Sequence, residues 1–233
     1  MPALREFGSD LWIIEGPGVR DFGITFRTRM TIAKLSNGSL WVSSPVPLPF
    51  ETLQHLARLG PVGHLVAATP RHLWRLRHWH TLFPRAQLWA ARRTPLTLGP
   101  GQLPLTGILG DTPHPDWTHD FDQLVFKGNP LAEEVFFFHR PSRTLIVDDF
   151  IQHWPRVSGK PLRNVLARLE GVAAAPGGVP LEIRLTFVDR ARARQSLAKL
   201  VSWDFDKLIV AHGDCMDTRA RPFVEQAFGW LLH

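Results

Sequence analysis

The chain has 233 residues, of which 44% are hydrophobic and 21% are charged, a composition typical of a folded globular protein rather than a disordered one. That length can bury a sizeable core, and we expect a single domain over residues 1–233. No apolar run approaches the roughly 20 residues that span a bilayer, and the N-terminus lacks the apolar segment of a secretory signal. The sequence therefore predicts no membrane association.

The formal charge of +6 comes mainly from arginine, which supplies 22 of the 27 basic residues. Arginine pairs in a forked geometry with carboxylates and phosphates, so an anionic partner is one interpretation. A compositional bias explains the excess equally well, because the arginines are scattered along the chain. The single cysteine, Cys215, excludes an internal disulfide and favours a reducing, cytoplasmic location.

The first third of the sequence alternates between apolar and polar residues as β-strands do. Strands are predicted at Asp10–Gly16, Arg29–Leu35 and Ser39–Ser44. The sequence Asn37-Gly38 between the last two predicts a hairpin, because Asn-Gly suits the positive φ angles of a tight turn. A helix over Pro49–Leu59 and a buried strand over Gly63–Ala68 follow.

The segment Ala68–Phe83 is basic and aromatic, and its pattern predicts a helix that begins near Pro70. Its inward stripe would be Leu73, Leu76, His80 and Phe83. Arg71, Arg75 and His78 would lie on another face. A strand at Ala86–Ala91 would complete a β-α-β unit.

The second half repeats the strand-rich pattern after Thr94–Asp116, a stretch rich in proline and glycine with little expected structure. The predicted strands are Phe121–Gly128, Glu134–His139, Arg143–Asp149 and Asp206–Asp214. The predicted helices are Asp189–Trp203 and Arg221–Leu232. Mixed sheets with helices on the outside satisfy this order, so the fold class is α/β.

Polar clusters follow three of the apolar strands, where ligands gather in α/β folds. They are Thr69–His72, Val147–Asp149 and Ala211–Asp214. Histidine and carboxylate side chains from separate strand ends are suitable ligands for zinc, iron or manganese. The competing interpretation is that these residues only cap helices and close turns.

Other chemistries have little support in the sequence. There is no Gly-x-Ser-x-Gly elbow, Walker loop, Gly-x-Gly-x-x-Gly or Cys-x-x-Cys motif. Nucleic-acid binding would use Arg71, Arg75 and Arg77, with Trp74 or Trp79 for stacking. The nine tryptophans are spread along the whole chain, however, which is typical of core aromatics.

The polar clusters together resemble the metallo-β-lactamase superfamily, whose defining loop reads Thr-His-x-His-x-Asp-His. Thr69 and His72 match that loop, whereas Pro70, Trp74 and Arg75 replace three of its ligands. A further histidine of the superfamily corresponds to Asn129, its bridging aspartate to Asp149 and its last histidine to His212. More closely, the chain resembles a bacterial family of unknown function within that superfamily, through stretches such as G-D-T-P-H-P-D-W and W-D-F-D-K-L-I-V-A-H-G, from about Leu4 to Trp230.

The resemblance implies a four-layer αβ/βα sandwich with two mixed sheets and a metal site at their edge. It implies a divergent hydrolase-like protein with at most one ion, on His72, Asp149 and His212, or with none. Asp149 and Asp148 are its candidate catalytic residues. Substrate contacts would come from Arg71, Arg75, Asn129 and Asp214. The alternatives are a non-catalytic binder of a small anionic ligand in the same cleft and a nucleic-acid-binding protein.

Overall fold

The computed structural model describes residues 3–21, 24–73, 75–94, 103–174 and 176–232. Two mixed sheets make up most of its β structure. Among the described residues, no helix combines the length and the hydrophobicity that crossing a lipid bilayer requires.

The first sheet has seven strands. They are β1 (Arg5–Gly8), β2 (Leu11–Glu15), β5 (Arg29–Lys34), β6 (Leu40–Ser43), β7 (Val62–Ala67), β8 (Gln87–Ala90) and β9 (Gly107–Ile108), in that spatial order. Pairing is antiparallel from β1 to β6 and parallel from β6 to β9. The predicted hairpin joins β5 to β6, and Gly38 takes a φ of 83° in its turn.

The second sheet has four strands: β10 (Phe121–Val125), β11 (Val135–His139), β12 (Thr144–Val147) and β13 (Lys207–Val210). Only β12 and β13 are parallel, so their carboxyl ends reach the same edge. A separate ribbon pairs β3 (Val19–Asp21) with β4 (Ile24–Phe26).

Six α-helices accompany the sheets in the described part of the chain: α1 (Phe50–Leu59), α2 (Leu76–Leu82), α3 (Pro161–Leu169), α4 (Leu181–Leu185), α5 (Arg190–Val201) and α6 (Ala220–Ala227). Short 3-10 turns lie at Pro115–Trp117 and Gly229–Leu231. The structure thereby confirms the helices expected in the α1 and α5 regions and near the end of the chain.

The core consists of three apolar layers because successive strand residues face opposite sides of each sheet. The central layer joins the two sheets: Trp41 of β6 packs edge-on against Phe137 of β11, with ring centroids 4.9 Å apart. The outer layers pack α1 and α2 against the first sheet, and α5 and α6 against the second. This is the predicted four-layer αβ/βα sandwich.

The segment after β7 differs from its prediction, because the helix expected from Pro70 begins only at Leu76. Thr69 and His72 in the intervening turn hydrogen-bond to other polar side chains instead of continuing a helical ladder. Trp79 of α2 is 1% exposed and donates its indole N–H to the Val46 carbonyl at 2.9 Å. Trp79 therefore cannot stack on a nucleic-acid base, and Trp74 lies outside the described residues.

Candidate metal centre

His72, Asp149 and His212 meet at the edge where three strands end. His72 lies in the turn after β7, Asp149 two residues beyond β12 and His212 two residues beyond β13. The Nε2 atoms of the two histidines are 3.3 Å apart, and Asp149 Oδ1 lies 3.3 Å from His72 Nε2 and 3.2 Å from His212 Nε2. In the described part of the chain, no other set of three His, Cys, Asp or Glu residues converges in this way.

The spacing of these three donor atoms fits a small divalent cation. Ligand atoms at the corners of a tetrahedron are separated by about 1.6 times the metal–ligand bond, so the separations of 3.2–3.3 Å correspond to bonds of roughly 2.0 Å. That is the usual zinc–imidazole and zinc–carboxylate length. Two imidazoles and one carboxylate also suit iron and manganese, and they leave at least one position open.

His212 is oriented by the backbone that faces it. Its Nδ1 lies 2.7 Å from the carbonyl oxygen of Arg27, which can only accept, so Nδ1 carries the proton and Nε2 is left as the metal-binding lone pair. The loop that carries His212 is held by Arg29, whose guanidinium donates to the carbonyl oxygens of Val210 and, at 2.7 Å, of Gly213. Arg29 is 3% exposed, and its other contact is an ion pair with Glu15 at 2.7 Å.

His72 is oriented by two side chains on its Nδ1 side. Asp148 Oδ2 lies 3.2 Å from Nδ1, and Ser44 Oγ lies 2.8 Å from it. The Ser44 hydroxyl donates to Asp148 at 2.8 Å. Ser44 has a φ of 52°, an uncommon backbone conformation for a residue other than glycine, and its backbone follows β6 directly. A carboxylate behind a ligating imidazole is a recurring arrangement that fixes the tautomer and raises ligand basicity.

Asp149 is held from both its side chain and its backbone. The hydroxyl of Thr69 donates to Asp149 Oδ2 at 3.1 Å, on the carboxylate oxygen opposite the histidines. The buried carboxylate of Glu134 accepts the backbone N–H groups of Asp148, Asp149 (2.9 Å) and Phe150 (2.7 Å). Glu134 therefore fixes the turn that places both aspartates.

The charges in this cluster are strongly coupled. Burial lowers the pKa of His72, but the carboxylates of Asp149 and Asp148 outweigh it and leave the pKa well above the ordinary histidine value. Burial raises the pKa of Asp149, yet His72 and His212 bring that pKa well below its ordinary value. Burial and the two neighbouring aspartates raise the pKa of Glu134, against its backbone N–H bonds. The carboxylates of Asp149 and Asp148 thus favour positive charge at the His72 ring.

A narrow cleft opens beside the two histidine ligands. Its walls include Pro45, Val46 and Pro47, and His72, His212 and Arg75 line its polar side. Its volume of about 30 Å³ has room for one or two water molecules. We call it the metal cleft. Arg75 is thus the one proposed substrate contact that lines it.

The other three proposed substrate contacts lie elsewhere. Arg71 is exposed and forms an ion pair with Glu182 at 3.2 Å. Asp214 is half-exposed and lies 3.5 Å from the Arg27 guanidinium. The Asn129 amide donates to the Ile183 carbonyl and the Thr186 hydroxyl, and its oxygen accepts the N–H groups of Leu131 and Ala132.

Three residues that shape the site were not found from the sequence: Ser44, Arg29 and Glu134. Ser44 and Arg29 contact residues more than 100 positions away, Asp148 and Val210 respectively. Ser44 also needs a positive φ angle, and the side chain of Glu134 is buried. None of these properties leaves a local pattern in the sequence.

Comparison with solved structures identifies the fold as that of the metallo-β-lactamases. The DIM-1 metallo-β-lactamase is 13% identical over 98% of this chain and 97% of its own, with a TM-score of 0.64. The metallo-β-lactamase from Hirschia baltica is 14% identical over 99% and 97%, with a TM-score of 0.63. The flavodiiron core of Flv1 from Synechocystis sp. PCC6803 is 10% identical over 99% of this chain and 61% of its own, with a TM-score of 0.66. At these identities the likeness shows the fold alone.

The chain belongs to the family described as "Domain of unknown function (DUF4336)", whose profile matches residues 10–163. The match includes His72 and Asp149 and ends before His212. No curated protein matches the sequence.

Proposed function

We propose that this protein is a divergent metal-dependent hydrolase that holds one divalent cation on His72, Asp149 and His212. The triangle of donor atoms with sides of 3.2–3.3 Å carries the proposal, because it brings together two imidazoles and a carboxylate at the edge of a metallo-β-lactamase-like sandwich. The whole chain, residues 1–233, would act as one domain.

One ion, rather than two, follows from the residues around the cluster. A two-metal hydrolase uses about half a dozen ligands. Here Pro70 has no ligating atom, and the positive charge of Arg75 lines the metal cleft. Asn129 uses its amide within the protein. These replacements favour a centre in which Arg75 stands in for the charge of the missing cation.

Zinc, iron or manganese in such a centre would polarise a water molecule and the reacting carbonyl or phosphoryl oxygen of a substrate. The chain's own residues would prepare that chemistry. Asp148 and the Arg27 carbonyl hold the two imidazoles with Nε2 facing inwards. Asp149 supplies the negative ligand, and Arg75 would bind an anionic group of an ester, amide or phosphate substrate.

A non-catalytic role is the second candidate, and Arg75 favours it. A cleft that has lost most of its metal ligands and gained a guanidinium is suited to holding a small anion. Inorganic phosphate would then stabilise the protein whether or not metal is present, and Arg75→Ala would abolish the effect. Nucleic-acid binding has less support, since Trp79 is buried and Arg71 is paired with Glu182.

Metal content measured on protein purified without chelators tests the main proposal. We expect close to one equivalent of metal, a rise in melting temperature on adding zinc, manganese or iron to the chelator-treated protein, and loss of both in His212→Ala. His55→Ala is the matched control, because His55 is exposed on α1 and belongs neither to the three ligands nor to the lining of the metal cleft. Unchanged stability in the presence of all three metals, in folded wild-type protein, contradicts the proposal.

Hydrolysis is tested separately with the metal-loaded protein. A panel of nitrophenyl esters, phosphate esters and an anilide covers the proposed substrate classes. Turnover that disappears in His212→Ala but persists in His55→Ala supports the enzyme. Full metal binding without turnover, combined with phosphate binding through Arg75, favours the second candidate.

A further inference from the structure

A second and larger cavity lies between α3, α4 and the C-terminal end of α6. Its volume is about 400 Å³, within the range of small-molecule sites. None of the residues that line it lines the metal cleft. The two sites are therefore separate, and ligand binding in this cavity does not depend on the proposed hydrolase.

The charged groups that line this cavity are both positive. Arg168, which is exposed, comes from the last turn of α3 and Arg184 from α4, so two elements each contribute one arginine to the lining. No aspartate or glutamate is among the lining residues. Among the described residues, neither arginine has a carboxylate within salt-bridge distance, unlike Arg29, Arg71 and Arg140. Two guanidinium groups without a neutralising acid form a site for an anion.

Arg184 is additionally held against an aromatic ring. Its guanidinium carbon lies 6.0 Å from the ring centroid of Trp230, at the limit of a cation–π contact. Trp230, Val179 and Ala227 all line the cavity and give it an apolar side. A ligand with an apolar or planar body and one anionic end would match both sides.

Two glycines with positive φ angles lie in the loop that borders α3 and α4. Gly177 has a φ of 80°, and a Cβ there would meet the His153 ring at 2.8 Å and the Gln152 carbonyl at 3.0 Å. Gly171 has a φ of 72°, and the Arg184 guanidinium lies 4.0 Å from where its Cβ would be. Glycine at position 177 therefore lets this loop pack closely against His153 and Gln152.

We propose that this cavity binds a small organic anion, with a phosphate or carboxylate group between Arg168 and Arg184 and an apolar or aromatic body against Trp230. Forked guanidinium groups match both anions, so the chemistry common to them defines the ligand class. A volume of about 400 Å³ admits a body of one or two rings.

Phenyl phosphate is a suitable probe, with inorganic phosphate and phenol as its two halves. Calorimetric titration of the wild-type protein should show phenyl phosphate binding more tightly than either half alone. Arg184→Gln and Arg168→Gln should each weaken that binding by about tenfold, the usual effect of losing one charged hydrogen-bonding partner. Arg58→Gln, a change at an exposed position of α1, should leave it unaltered. Benzoate in place of phenyl phosphate distinguishes a carboxylate from a phosphate preference.

Chemical shifts locate the probe in the wild-type protein and do not rely on variants that fold poorly. The changes should include the Trp230 indole and the residues around Arg168 and Arg184. Equal weakening by Arg58→Gln, or no binding at millimolar probe, would each overturn the proposal. A spectrum perturbed only around His72 and His212 would do so as well.

Discussion

The guanidinium of Arg29, at the start of β5, donates a 2.7 Å hydrogen bond to the carbonyl oxygen of Gly213, 184 positions further along the chain. A second hydrogen bond from the same side chain reaches Val210. His212 lies between these two acceptors in sequence. One buried side chain thus ties the first sheet to the loop that carries a metal ligand.

We expect Arg29→Met to lower both stability and metal affinity. Methionine fills much of the same volume but leaves two buried carbonyl groups without their donor, which costs about 2–4 kcal/mol of unfolding free energy. The His212 loop is then less fixed, and affinity should fall by roughly 10–100-fold, as for other residues that orient ligands. Urea denaturation and competition with a chromophoric chelator measure the two effects.

The control for Arg29 is its near neighbour Arg27. The Arg27 side chain is 59% exposed, and only its backbone carbonyl contacts His212, so Arg27→Met keeps the hydrogen bond to Nδ1. The unfolding free energy and the metal affinity of Arg27→Met should both stay close to those of the wild type. Equal losses in the two variants would show that removing positive charge, rather than releasing the loop, explains the result.

Ser44 gives a second prediction, in which two variants share one effect and differ in another. Ser44→Ala and Ser44→Gly both remove the hydroxyl that contacts His72 and Asp148, so both should bind metal about tenfold or more weakly. Glycine accepts a φ of 52° without strain, so Ser44→Gly should be about 1 kcal/mol more stable than Ser44→Ala. Melting curves and metal titrations of the two variants provide the comparison.

Ser43 is the matched control for Ser44, because its buried hydroxyl has no hydrogen-bond partner among the described residues. Ser43→Ala should retain metal affinity and unfold with nearly unchanged free energy. If Ser43→Ala weakens metal binding as much as Ser44→Ala does, the hydroxyl of Ser44 has no special part in orienting His72.

The strands that carry the candidate metal ligands can be predicted because each is a short apolar run that ends in polar residues. Parallel strands bring their carboxyl ends to one edge, so Asp149 and His212 are expected to be close. The resemblance to a known loop adds His72. The same short apolar runs, together with the Asn37-Gly38 turn, also predict the α/β fold.

Other parts of the molecule could not be predicted, for identifiable reasons. The apolar spacing already includes Leu73, three residues before the true start of α2 at Leu76. Periodicity therefore places the start of the helix too early. The short elements β1, β3, β4 and α4 have too few residues for a pattern to emerge, and the sequence does not predict α3 either. The pattern around Glu134 predicts the start of a strand, whereas its carboxylate binds backbone N–H groups around Asp149.

Glu134 leads to a third prediction. In Glu134→Gln one carboxylate oxygen becomes an NH₂ group that faces backbone donors, and a donor cannot accept their hydrogen bonds. This loss should outweigh the relief of repulsion with Asp148 and Asp149, because a buried N–H left without an acceptor costs about 1–3 kcal/mol. Unfolding free energy and metal affinity should both fall. Glu133→Gln, next in the chain, should change neither, and a stabilised Glu134→Gln protein would show that repulsion dominates.

His139 gives a prediction about the pH dependence of stability. Burial lowers its pKa to about 4, although the Asp120 carboxylate opposes this effect, and the ring is fully buried. The unfolded chain, with a histidine pKa near 6.5, binds more protons than the folded one between about pH 6.5 and pH 4. The His139 contribution to stability is therefore present in full above pH 7 and falls by roughly 2 kcal/mol at pH 5. Urea denaturation should show that the unfolding free energy of His139→Gln falls less between pH 7.5 and pH 5 than that of the wild type, by about this amount.

His55→Gln, a change at an exposed position of α1, is the control, and its unfolding free energy should fall as much as that of the wild type. An equal fall in all three proteins would show that His139 does not control the acid sensitivity.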